Sequence, residues 1–192
     1  MTSKEIRAGI PAEVRMDAEG IKVSGYAAVF GQEADIGGMF REVIEPGAFK
    51  DAIGRDDVVF VINHDGLPLA RTRSGTLTLT EDEKGLFMET DLDADDPDVR
   101  AIVPKMKRGD LDKMSFAFMP TVQEWDDTQD PPLRTIRKVE LFDVSIVTTP
   151  AYSGTDIGLR SLDAHRKSQN FDAASRRIQR KKLGAQMKAR GI

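Results

Sequence analysis

The sequence predicts a mainly β protein with some α structure, built as an antiparallel sheet closed into a barrel with a few helices around it. Three observations carry this expectation. Roughly seven apolar stretches alternate with polar residues at the two-residue period of strands. Turn-forming residues separate most of them at hairpin spacing. Only two stretches before residue 160 carry helical signals. Strands joined by hairpins, with helices in the minority, suit a barrel or sandwich. A chain of 192 residues, 40% hydrophobic and 31% charged, suits one domain with a substantial core.

In chain order, Ala12–Met16 alternates weakly and is expected as an edge strand. Ile21–Phe30 is a stronger strand, with Gly25 marking a bulge or a close backbone approach. A glycine-rich loop, Asp35-Ile-Gly-Gly38, leads into Met39–Ile44. Glu45–Ile53 is predicted to be a short helix closed by Gly54. The apolar run Val58–Asn63 follows and ends at His64, and Gly66–Ser74, with Arg71 and Arg73, is expected as a surface loop. Thr76–Thr80 and Leu86–Leu92 form a predicted hairpin turning at Gly85.

The clearest helix comes next. Asp96 stands at its N-cap, Pro97 in its first turn and Gly109 just past its end, while Val99, Ile102, Val103 and Met106 form its apolar stripe. Pro104 lies inside the pattern and is expected to kink it. The strand beginning Lys113-Met-Ser-Phe-Ala-Phe-Met-Pro120 runs on to Val122, and after the loop Asp126–Pro132 a long strand spans Leu133–Thr148.

Composition then changes. Residues 161–192 hold nine Lys/Arg against Asp163 and Asp172, a local charge of +7, which leaves −11 on the first 160 residues. The reading is a body over residues 1–160 and a basic, flexible tail over 161–192, in which Phe171, Ala174 and Ile178 recur at helical spacing. No apolar run approaches the roughly 18 residues of a membrane span. The first residues lack the apolar core of a secretory signal, and none is expected. With no cysteine, disulfides, thiolate metal sites and a cysteine nucleophile are excluded. His64 and His165 are the only histidines and have no cluster of ligands around them, so neither a metal nor a cofactor is expected.

Three polar residues interrupt strongly apolar strands: His64, Ser115 and Asp143. Each alone has a plain explanation. The histidine can cap a strand end, the serine can fill space, and the aspartate can pair with an Arg or Lys. Together they supply what nucleophilic catalysis needs: a hydroxyl, a base to take its proton, and an acid to orient the base. That reading requires the three strands to adjoin.

Six segments in order extend the argument: Gly25-Tyr-Ala-Ala-Val-Phe30, Ile44-Glu-Pro-Gly-Ala-Phe49, Asn63-His-Asp65, Gly85-Leu86, Met114-Ser-Phe-Ala-Phe118 and Asp143-Val-Ser-Ile-Val-Thr-Thr-Pro-Ala151. They resemble the prohead (capsid maturation) serine proteases of HK97-type tailed bacteriophages over roughly residues 20–155. The resemblance implies a fold like that of the herpesvirus assembly proteases. It also implies a serine endopeptidase that cuts the scaffolding segment from the major capsid protein, and itself, within the procapsid in the host cytoplasm, or in a bacterium carrying the prophage. It implies Ser115 as nucleophile, His64 as base and Asp143 as third member, where family members commonly carry glutamate. Glu140, on the opposite face by strict alternation, is the other acid to consider. The backbone N–H of Ala151 or Tyr152 is the oxyanion donor implied by the related viral enzymes.

The expected partners are the capsid protein and its scaffolding segment, with self-association possible and no membrane. A second reading is a catalytically silent assembly protein of the same fold that binds capsid or scaffold. Nucleic-acid binding through the tail is weaker, because the body is acidic and the tail offers only Phe171 for base stacking.

Overall fold

A computed structural model describes residues 4–17, 20–148, 160–169 and 176. The strands are β1 Glu5–Asp17, β2 Gly20–Val29, β3 Ala34–Ile36, β4 Phe40–Ile44, β5 Val59–Ile62, β6 Asp65–Arg71, β7 Leu77–Glu81, β8 Gly85–Leu92, β9 Lys113–Asp126 and β10 Leu133–Val147. Helices α1 Lys50–Arg55 and α2 Pro97–Arg108 lie between them, and α3 covers residues 160–169. The protein is therefore mixed α and β, with strands dominant. Among the described residues no helix is long and apolar enough to cross a membrane.

Hydrogen-bonded neighbours run β3-β4-β10-β9-β1-β2-β8-β7, with β5 on β10 and β6 on β5. Two features correct the expected closed antiparallel barrel. The ladder among the described residues does not return from β7 to β3, so no closed ring of pairs forms. Strands β4 and β5 also share one edge of β10, one after the other, and both pair with it in parallel. The length of β10 makes this possible, since its 15 residues serve two short partners in succession.

Other local expectations are corrected as well. Gly66–Ser74 is not all loop, because β6 pairs with β5 through Val59–Arg71 and Phe60–Ala70. Helix α1 starts later than expected and continues through Gly54. Its approach is held from afar, with the Glu81 carboxylate accepting from the N–H groups of Gly47 and Phe49. Gly25 sits in register with Ala12 and Met88, and the bulge in β2 falls between Tyr26 and Ala28 instead. A Cβ on Gly85 would lie 2.0 Å from the Ala28 carbonyl oxygen, so this glycine answers to a close backbone approach.

Helix α2 follows its local signals. The Asp96 side chain accepts from the Asp98 N–H, and Gly109 takes the left-handed conformation as the helix ends. The helix continues through Pro104, and its four stripe residues are buried.

The β9–β10 pair organises the interior. On one face Met114, Phe116, Phe118, Leu141, Val144 and Ile146 join the main core. Strict alternation would put Leu141 and Asp143 on the same face. A bulge prevents it: Leu141 pairs with Phe118 and Asp143 with the next residue, Ala117, leaving Phe142 as the extra residue. From there on the odd-numbered residues of β10 face away from the core. Asp143 and Ser145 therefore share a face with Ser115 and Ala117.

Antiparallel pairing of β1 with β9 sorts its first residues in the same way. Glu5 and Arg7 lie level with Phe118 and Phe116 and turn to the core side. There they enter a buried charged cluster. Arg134, fully buried, donates to both Glu5 carboxylate oxygens and to Glu42, while Arg7 also donates to Glu5 and Glu42. Burial works against the Glu5 charge, but the hydrogen bonds and charges of the two arginines outweigh it and hold this carboxyl below its usual value.

Helix α3 seals this end of the molecule. Leu162 is buried with Ile36 and Phe40, His165 stacks on Trp125 at 4.8 Å, and the Ser161 hydroxyl donates to Glu5 at 2.9 Å. Packing on the body thus continues through the first residues of the basic segment. The helical spacing of Phe171, Ala174 and Ile178 lies outside the described residues.

Candidate active site

Strand β9 fixes Ser115, which pairs in register with Ser145 of β10. Its side chain is fully buried. Strand β10 supplies Asp143, turned to the same face by the bulge at Phe142. His64 comes from the third element, the β5–β6 hairpin. Ile62 lies level with Ile146 in the parallel β5–β10 pair and opposite Asp65 across the hairpin. Only Asn63 and His64 remain to make the turn.

Both turn residues have positive φ, 51° and 61°, as a two-residue type I′ turn requires. Asparagine tolerates this conformation better than histidine does. The strained turn is tied to the end of β10: the Asn63 side-chain oxygen accepts from the Thr148 N–H at 3.0 Å, and the Asn63 N–H donates to the Ile146 carbonyl. The imidazole thereby folds back over β10 and β9.

The three residues singled out in the sequence meet around that imidazole. His64 Nδ1 lies 2.5 Å from Asp143 Oδ1, and His64 Nε2 lies 2.6 Å from Ser115 Oγ. Burial raises the cost of charge on Asp143. Hydrogen bonds from His64 and Lys4, together with the positive charge of Lys4, more than offset it and keep the carboxyl below its ordinary value. The carboxylate is thus the acceptor, and Nδ1 carries the proton. Nε2 is left with a lone pair facing the Ser115 hydroxyl, the arrangement in which an imidazole can act as base.

Neither Lys4 nor Arg7 was foreseen as a partner. Lys4 Nζ donates to Asp143 Oδ2 at 2.9 Å, and the Arg7 carbonyl oxygen lies 2.7 Å from Ser115 Oγ. The serine proton therefore has two acceptors within reach, Nε2 and the Arg7 carbonyl. If the imidazole is doubly protonated, Nε2–H can donate to Oγ while the hydroxyl turns to Arg7. Nothing in the sequence marked Lys4, whose partner is 139 residues away.

Glu140, the other acid considered, is level with Met119 and is not among the partners of His64. The bulge also cancels its expected separation from Asp143. Val139 and Leu141 face the core, so Glu140 turns to the same side as Asp143. Position along the strand, not face, separates the two acids. Ala151 and Tyr152, the expected oxyanion donors, lie outside the described residues.

No solved structure matches the chain. The chain is 31% identical over 145 residues to the prohead protease of Enterobacteria phage HK97, a match covering 72% of this chain and 60% of that relative. It thus spans about 60% of the relative's length. The family model described as caudovirus prohead serine protease matches residues 11–168, a span that includes His64, Ser115 and Asp143. The chain belongs to the caudovirus prohead serine protease family.

Proposed function

We propose that this protein is a serine endopeptidase that cuts the scaffolding segment from the major capsid protein, and cuts itself, during prohead maturation. The observation that supports it most is a single imidazole placed between a serine hydroxyl, 2.6 Å from Nε2, and a carboxylate oxygen, 2.5 Å from Nδ1. In this reading Ser115 attacks the scissile carbonyl while His64 Nε2 accepts its proton. Asp143 holds the Nδ1–H tautomer and stabilises the imidazolium that forms. His64 then returns the proton to the leaving amine, and a water repeats the sequence to release the acyl group. Ala151 or Tyr152 N–H is the proposed donor to the oxyanion.

Ser115 has no exposed surface, so a peptide reaches it only after a local opening. The kinship in fold to herpesvirus assembly proteases belongs to this proposal, as do self-association and action inside the procapsid in the host cytoplasm. The basic segment is read as a docking element for capsid or scaffold protein. Because Ser161 and Leu162 pack on the body, a deletion that tests this role begins after α3, at residue 170.

Co-expression with the cognate capsid protein, followed by intact-mass measurement of both chains, tests the reading. Ser115→Ala is expected to fold normally and to leave the capsid protein at full length. Trimming by the Ser115→Ala protein would refute the protease assignment, and assembly that needs the protein but not Ser115 or His64 would favour a silent binding module. Deletion of residues 170–192 is expected to spare peptide hydrolysis while lowering the amount of enzyme inside procapsids. Encapsidation at the wild-type level would remove the docking role.

A further inference from the structure

The Asp143 carboxylate is held at both oxygens, and only one of its partners belongs to the Ser–His–Asp arrangement. Ser145, two residues on and fully buried, places its Oγ 3.0 Å from Asp143 Oδ1 and 3.1 Å from His64 Nδ1. Lys4 occupies the other oxygen, Oδ2, at 2.9 Å. We propose that Ser145 is a positioning residue for the reaction described above, fixing Asp143 together with Lys4 so that Oδ1 faces the His64 imidazole. The proposal rests on the protease reading for its consequence in catalysis.

Proton accounting assigns the roles. Nδ1 must carry a proton to bridge 2.5 Å to an ionised carboxylate, so it offers Ser145 no lone pair. The Ser145 hydroxyl proton therefore goes to Oδ1, and its oxygen becomes a second acceptor for the Nδ1–H. The three atoms form a closed triangle in which each contact favours the same tautomer. A proton on Nε2 in place of Nδ1 would leave Oδ1 without its shortest donor.

Ser145 also lies directly opposite Ser115 in the β9–β10 register. The imidazole thus spans two serines, one at each ring nitrogen, and only Ser115 is at the basic nitrogen. Lys4 works from the opposite side. Its donors need an acceptor at Oδ2, which resists rotation of the carboxylate about its own axis. Its side chain is half exposed, so its share is the smaller.

A buried serine that only filled space would predict little effect from alanine, which is smaller and close in shape. The positioning role predicts otherwise. Ser145→Ala should fold, keep KM for a peptide substrate, and lose kcat on the order of ten- to a hundredfold, the size expected for one hydrogen bond to a charged group. Lys4→Met should lose about two- to fivefold in kcat, and Lys4→Arg should restore it.

The second readout is independent of hydrolysis: the far-downfield proton resonance of His64 Nδ1, recorded in a Ser115→Ala background. Adding Ser145→Ala should shift or broaden that signal. A Ser145→Ala enzyme with wild-type kcat, or an unmoved Nδ1 proton signal, overturns the proposal. If the wild-type protein hydrolyses no peptide at all, the protease reading fails, yet the resonance still decides whether Ser145 orders the His64–Asp143 pair.

Discussion

Asp143→Asn separates orientation from charge at this site. An amide oxygen turned toward Lys4, whose ammonium only donates, places the NH₂ group toward His64. Nδ1 then becomes an acceptor and Nε2 carries the proton, which leaves Ser115 without a base. Turnover should fall about 10⁴-fold, as the same change does in the chymotrypsin template. Glu140→Gln should change it less than about twofold, since that side chain does not reach the imidazole. Initial rates of purified, folded variants on one peptide check both, and a large Glu140→Gln defect beside a near-normal Asp143→Asn would move the acid to Glu140. His64, Ser115 and Asp143 could be picked out because each is polar within an apolar run. Ser145 carried a usable signal too, lying two residues from Asp143 and hence on its face, but a serine among valines and isoleucines is easily read as filler. Lys4 carried none, since a lysine near the start of the chain looks like any solvated charge until β1 pairs with β9.

Elements differ in how much of their logic is local. Helix α2 was legible end to end because its cap, first-turn proline, apolar stripe and terminal glycine all act within a few residues of one another. Strand β6 was not, because Gly66 and Pro68 are turn-forming residue types and its partner among the described strands is β5 alone. The parallel pairing of β4 and β5 with β10 was equally hidden, since side-chain alternation is the same whichever way a neighbour runs. Gly85 closes the β7–β8 turn as expected, its carbonyl accepting from the Asp82 N–H, but it also answers to a constraint the sequence did not show. It tolerates no side chain because β2 backbone lies against it, not because a turn needs its conformation. Gly85→Ala should therefore destabilise the protein by about 3 kcal/mol or more, with a backbone carbonyl rather than a flexible side chain in the way. Urea denaturation measures this, and a loss under about 1 kcal/mol, the cost range of simple propensity changes, would show that β2 and β8 can separate there.

For the whole molecule, stability in acid follows from the carboxylates enclosed during folding. Glu5 and Asp143 both hold their protons less tightly in the folded state than in the unfolded chain. Below the ordinary carboxylate range, near pH 4, the unfolded chain therefore binds more protons than the native one, and stability falls as pH drops. The contribution should be complete at neutral pH, begin to fade as the unfolded carboxylates protonate, and vanish once the folded ones do. Urea midpoints between pH 7 and pH 3 check the sign. Glu5→Gln should lower stability at pH 7 and flatten the acid decline, and an unchanged decline would remove Glu5 as a source. The partners of the site are also far apart along the chain: 51 residues between His64 and Ser115, 79 between His64 and Asp143, 108 between Ser115 and Arg7, and 139 between Lys4 and Asp143. Contacts of such separation bear a large loop-closure entropy and form only when the strands between them are already in place. A chain still being synthesised, with β9 complete and β10 not yet made, holds its serine and its histidine but has no acid to set the tautomer. On the protease reading proposed above, the Ser–His–Asp arrangement is thus complete only once β10 has been made and paired.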